Sequence, residues 1–115
     1  MKVVNLTPHV VNLCDESGAV FASVPSSGQL ARVKTLPKVV GQVEVAGRTM
    51  PVRVSEYGPL EGLPDPVDGV LYVVSLQTAT AAAKLGRTDD ILVPDDTVRD
   101  PAGIVIGCRA FGRQP

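Results

Sequence analysis

Asn5, Thr7 and His9 stand close together in "VNLTPH", residues 4–9, and His9 is the only histidine of the chain. Pro8 donates no ladder hydrogen bond and biases Thr7 toward an extended backbone, so the first strand is expected to bend here and turn His9 toward a neighbouring loop. An amide, a hydroxyl and an imidazole at such a corner suit a polar ligand. His9 is also the one side chain available as an imidazole general base. A histidine held at a strand entry by a backbone carbonyl would read the same way.

Three further stretches carry candidates. "PSSG", residues 25–28, offers the Ser26 and Ser27 hydroxyls beside Gly28, a composition that lets successive backbone N–H groups approach an anion, and Arg32 follows in the next strand. The same residues fit a plain hairpin turn with a surface arginine. Arg99 and Arg109 flank the last turn, in "TVRDPAG" and "GCRAF", and a guanidinium supplies planar paired donors for phosphate. Arg99 beside Asp100, and Arg87 beside Asp89 and Asp90, also fit internal ion pairs. Ser75 closes a buried strand and precedes an alanine-rich segment, where the first free N–H groups of a helix would welcome an anion, or where Ser75 simply caps the helix. Tyr57 and Tyr72 are the rings available to stack on a base.

Other chemistries find less support. Asp89–Asp90 and Asp95–Asp96 are adjacent pairs, and neighbours on an extended chain point in opposite directions, so neither pair is assigned a metal. Ser26, Ser27, Ser75 and Cys108 are nucleophile types, yet no strand–turn–helix elbow joins any of them to His9. Cys108 in "VIGCRAF" reads as a buried, inert thiol. No catalytic residue and no cofactor are assigned.

The elements that must position these residues are mostly strands. Alternating valines run through "KVVNL", "HVVNLC", "AVFASV", "QLARVKT", "VVGQVEVAG" and "RTMPVRVSEY", with turns at "DESG" and "PSSG" and a hairpin connection at Gly47 and Arg48. Residues 58–69, "GPLEGLPDPVDG", read as an ordered surface loop because of their prolines and glycines. "VLYVVS" is the most apolar strand and is expected to be central. A helix is predicted over residues 76–85, capped by Ser75 and stopped by Gly86. "ILVP" returns as a strand, "DDTVRDPAG" is a loop and "IVIGCRAF" closes the fold. The expectation is α+β, a mostly antiparallel sheet or partly open barrel with one main helix.

With 115 residues, one domain spanning 1–115 is expected, built on valine, leucine, isoleucine and alanine because only two Tyr and two Phe are present. Eleven basic residues against twelve acidic ones, a formal net charge of -1, give no field that calls for extended nucleic acid or an anionic membrane as partner. Two cysteines, Cys14 and Cys108, are expected to be free thiols. Asn5, Thr7, Pro8 and His9 interrupt any leader-like apolar run, and no stretch is long enough to span a bilayer, so a cytoplasmic protein is expected. Valine-rich strands with few charges leave sheet edges to be covered, so a homo-oligomer, a dimer first, is expected.

The motifs together resemble a family of short proteins encoded by bacteriophages, prophages and related bacteria. The pattern "NLTPHxVNL", "PSSGxxARV", "EGLPxP", "YVVS", "LVPDDxVRD" and "IGCRxF" is met by residues 5–13, 25–33, 61–66, 72–75, 92–100 and 106–111. The resemblance covers nearly the whole chain and implies a phage setting without a reaction. Small phage proteins of this kind include sponges that sequester nucleotide signals of host immunity. The leading expectation is therefore a non-enzymatic binder of a small phosphate-bearing or nucleotide-derived ligand, held by Asn5, Thr7, His9, the "PSSG" turn, Arg32, Ser75, Arg99 and Arg109. The alternatives are an enzyme cleaving a nucleotide or glycosyl bond, and a phage structural or interaction module.

Overall fold

In the computed structural model, which describes residues 1–115, the chain order is β1 (Lys2–Asn5), β2 (Val11–Cys14), β3 (Val20–Val24), β4 (Arg32–Val45), β5 (Arg48–Glu61), β6 (Val70–Val73), α1 (Leu76–Lys84), β7 (Ile91–Arg99) and β8 (Val105–Gly112). Six strands form one sheet in the order β1-β6-β7-β8-β2-β3, and β4 with β5 forms a separate two-stranded ribbon. The chain is α+β, with one helix and no closed barrel. The long ladders, β4 with β5 and β7 with β8, are antiparallel, as is β2 with β3. Parallel pairing joins β1 to β6, β6 to β7, and β2 to β8 through Leu13 and Cys108.

Two turns of one design close the β2–β3 and β7–β8 hairpins. Asp15 Oδ1 accepts the backbone N–H groups of Ser17 and Ala19 at 2.9 and 3.0 Å, and Asp100 Oδ1 accepts those of Ala102 and Ile104 at 2.9 and 3.0 Å. Gly18 and Gly103 then take φ of 88° and 83°, the left-handed step that returns the chain into its partner strand.

The helix fits its sequence signals closely. The Ser75 hydroxyl accepts from the Thr78 N–H at 3.3 Å, and beyond Leu85 the N–H groups of Gly86 and Arg87 bond the carbonyls of Ala83 and Ala82 at 3.0 and 2.9 Å, a Schellman closure with Gly86 at φ 82°. Its small buried face, Thr78, Ala79 and Ala82, lets the helix lie close on Leu6, Ala31, Tyr72, Val74 and Ile91. The other face of the sheet gathers Val11, Val73, Leu92 and Cys108. Side chains on both faces are buried because β6 carries Tyr72 to one side and Val73 to the other, as strand alternation requires.

Several boundaries differ from the sequence expectation. Residues 58–61 belong to β5, so the irregular loop is residues 62–69. β7 runs on through Asp95 and Asp96 to Arg99, leaving only the Asp100 turn as loop. Residues 32–45 form one strand across Pro37, which is tolerated because a two-stranded ribbon has outward-facing positions that need no donor. The ribbon turns at Ala46 and Gly47, with φ of 52° and 75°, one residue earlier than the expected Gly47–Arg48 connection. Two successive left-handed residues give the primed turn that matches strand twist.

No helix is long and apolar enough to cross a membrane. Cys14 and Cys108 are both free and buried.

Candidate functional site

Asn5 is the most constrained of the predicted site residues. The residue is 1 % exposed, and every hydrogen-bonding group of its side chain is engaged. Nδ2 donates to the carbonyls of His9 at 2.7 Å and Val24 at 3.0 Å, while Oδ1 accepts from the Thr7 N–H at 2.9 Å and the Thr7 hydroxyl at 2.7 Å. The Asn5 carbonyl accepts from the Ser27 N–H at 2.9 Å, and Asn5 and Ser26 form a parallel bridge. Asn5 thus joins β1 to the chain leaving β3, the two outer strands of the sheet, and shapes the Thr7–Pro8–His9 corner. With no donor or acceptor left over, its side chain is fully used in shaping the corner.

The corner that Asn5 shapes forms one wall of a cleft of about 710 Å³. Thr7 and His9 line it together with Ser75 from the start of α1, Asn12 from β2, Thr97 from β7 and Cys108 from β8. Val11, Val74, Val105 and Ile106 add apolar surface. His9, Ser75 and Thr97 are exposed. Asn12 donates from Nδ2 to the Ile106 carbonyl at 3.0 Å and accepts the Ser23 hydroxyl at 2.7 Å, so it is held in place across two strands. The Cys108 thiol lies 3.7 Å from the Asn12 carbonyl, and burial pushes its pKa above the ordinary 9.0. A thiol kept protonated in this way is a poor nucleophile.

The other predicted residues go elsewhere. The "PSSG" segment is a self-capped turn, in which the Gly28 N–H donates to the Ser26 hydroxyl and the Gln29 N–H to the Ser27 hydroxyl, both at 3.3 Å. Arg32 opens β4, exposed, in register with Glu61. Arg99 Nη1 donates to the Gly103 carbonyl at 2.7 Å and braces the last turn. Arg87 holds Asp90 at 2.7 Å and the Pro64 carbonyl at 2.7 Å, the internal pairing its neighbours suggested.

Arg109 lines a separate depression with Asp15, Glu16 and Asp96, and its guanidinium lies 3.6 Å from Asp96 Oδ1. Hydrogen bonds from the Ser17 hydroxyl and then the Ala19 N–H hold the Asp15 carboxyl below its ordinary 3.8. Carboxylates around Arg109 make that depression a poor home for an anion. The structure therefore does not bring His9, Arg32 and Arg109 together.

Nor do the tyrosines meet His9. Tyr72 is buried in the core with its hydroxyl 3.4 Å from the Asp65 carbonyl, and Tyr57 lines a smaller groove between the ribbon and α1. Sequence reasoning missed Asn12 and Thr97 as cleft residues. Thr97 stood in an apparent loop, and only its register with Cys108 turns it into the cleft wall. No three His, Cys, Asp or Glu side chains gather as a metal-binding group.

Family models, curated proteins and solved structures offer no match to this chain.

Proposed function

We propose that this chain is a binding protein for a small nucleotide-derived ligand, taken up in the cleft between the Thr7–Pro8–His9 corner and the N-terminus of α1. The observation that carries the reading is the convergence of Thr7, His9 and Ser75, from distant parts of the sequence, on one cleft of about 710 Å³. That size is in the range of small-molecule sites, and a few polar groups over apolar walls is their usual composition. The apolar walls suit a base and sugar. His9 and Ser75 suit one phosphate at the rim.

Binding without turnover is favoured by the state of the ionisable groups in the cleft. These are His9, exposed at the rim, and Cys108, whose thiol is held protonated by burial. Sequestration of a nucleotide signal in a phage-infected cell is the biological role consistent with the motif resemblance. To test this, the protein is purified from cells making nucleotide signals and denatured, and the supernatant is analysed by mass spectrometry. A nucleotide released at about one per site supports sequestration. A processed product would support the enzyme reading, and calorimetry showing no binding across a panel of linear and cyclic nucleotides would remove the proposal.

A further inference from the structure

The β4–β5 ribbon is an arm with one apolar face that nothing in the chain covers. At roughly 3.3 Å per residue a strand of this length reaches about 46 Å, and only its base packs on α1, through Val33, Leu60 and their neighbours. The ladder pairs Val45 with Arg48, Val43 with Met50, Gly41 with Val52, Lys38 with Val54 and Leu36 with Glu56. Directly paired residues share a face, and faces alternate along each strand. A register shift between Val39 and Gly41 inserts Val40 as an extra residue, so the face that carries Leu36 and Lys38 continues with Gly41, Val43 and Val45.

One side of the ribbon therefore presents Leu36, Val43, Val45, Met50, Val52 and Val54, which are 40 to 60 % exposed. The opposite side is more polar, with Thr35, Gln42, Glu44, Thr49, Arg53 and Ser55 in the same ladder, and its exposed apolar residues, Val39 and Tyr57, are set among them with Pro37 and Pro51. This amphipathic pattern is what a ribbon adopts when one face is to be buried, and an isolated two-stranded ribbon is at best marginal in water.

We propose that this face stacks on the same face of a second copy of the chain about a two-fold axis. Two observations point to self-association. The first is area: six half-exposed apolar side chains present on the order of 500 Å², and the stems of Lys38, Arg48 and Glu56 around them bring each copy near the roughly 800 Å² that a stable interface buries per partner. The second is charge. Arg48 stands at the tip of the face, and Glu56 at its base beside Lys38, whose Nζ lies 3.7 Å away with both side chains more than half exposed.

A two-fold axis through the Gly41–Val52 pair lays the tip of one ribbon over the base of the other. Arg48 of each copy then faces Glu56 of the other, and Met50 faces Val54. Gly41 sits at the axis, where a Cβ would meet nothing within 4 Å in the single chain and where its absence lets the two ribbons approach. Within one chain Arg48 and Glu56 are about 26 Å apart along β5 at roughly 3.3 Å per residue, too far to pair.

Sedimentation velocity on the full chain at micromolar concentration tests this. The wild type is expected to be a dimer. Val52→Asp, and separately Met50→Lys, are expected to raise the dissociation constant at least tenfold with an unchanged far-ultraviolet circular dichroism spectrum. Arg48→Glu and Glu56→Arg are each expected to weaken the dimer, and the double variant to recover most of the loss. A wild type that stays monomeric at one hundred micromolar overturns the proposal. So does a dimer insensitive to both apolar-face variants, and a charge swap without recovery rules out this two-fold pairing.

Discussion

Asn5 Nδ2 donates to the Val24 carbonyl at 3.0 Å, and this bond ties the first strand of the six-stranded sheet to the last. The outer strands of the sheet meet at the Asn5–Ser26 bridge, where the Ser27 N–H bonds the Asn5 carbonyl at 2.9 Å, and the Asn5 amide adds a side-chain link across this short seam. Asn5→Ala should remove its four side-chain hydrogen bonds from a buried position, leaving the His9 carbonyl only the Thr7 hydroxyl as a side-chain donor and the Val24 carbonyl none. A loss of about 3 kcal/mol is expected, at the usual cost of unsatisfied buried groups. Urea unfolding measures it, and a change below about 0.5 kcal/mol would show that the seam is held by other contacts.

Ligand affinity should separate the polar candidates. His9 is exposed and lines the cleft, so His9→Ala should weaken binding about tenfold, near 1.4 kcal/mol, with little change in melting temperature. Arg32 and Arg109 lie outside the cleft, and Arg32→Ala and Arg109→Ala should each shift affinity by less than about twofold, well under 1 kcal/mol. Calorimetry with the released nucleotide reads all three. A large loss in either arginine variant would move the site away from His9.

Gly107 is needed for its lack of a side chain. A Cβ there would meet Cys14 Sγ at 2.6 Å and the Asn12 carbonyl at 2.9 Å, so Gly107→Ala must push β8 away from β2. Overpacking of this kind costs roughly 1–3 kcal/mol. The same change should disturb the cleft, because Gly107 and Asn12 both line it. Thermal unfolding of Gly107→Ala at the wild-type midpoint would expose a neutral outcome at once.

The buried thiol of Cys108 sets a pH dependence at the alkaline end. Burial raises its pKa from the ordinary 9.0, so the folded state holds this proton more tightly than the unfolded state. The associated stability is fully present below the unfolded value and falls as pH rises through the folded one. Unfolding free energies measured upward from about pH 8 should decline more steeply for the wild type than for Cys108→Ala. Parallel slopes would mean that the thiol reaches solvent in the folded protein.

Much of the local structure was legible in the residues themselves. The "DESG" and "DPAG" turns, the helix between Ser75 and Gly86, and the alternating strands depend on interactions within a few positions, which spacing and residue type report directly. The α+β class follows from the same signals. Loop boundaries were less legible, because Pro37, Pro59 and Pro94 mark breaks in isolation but are accommodated where a strand's N–H would point outward.

The arrangement of the site came from pairings between distant segments. Sequence showed that Asn5, Thr7 and His9 are neighbours. Only the meeting of the outer strands showed that Asn5 is consumed in joining β1 to β3 while His9 is left in a cleft with Ser75. Likewise Arg109 was visible as a phosphate-binding type, but its register beside Asp96, and a depression shared with Asp15 and Glu16, are tertiary facts. Composition determines which groups are available, since chemistry belongs to the side chain. Which groups meet is decided by long-range strand order, because each pairing depends on burial summed over the whole sheet and leaves no signature within a short window.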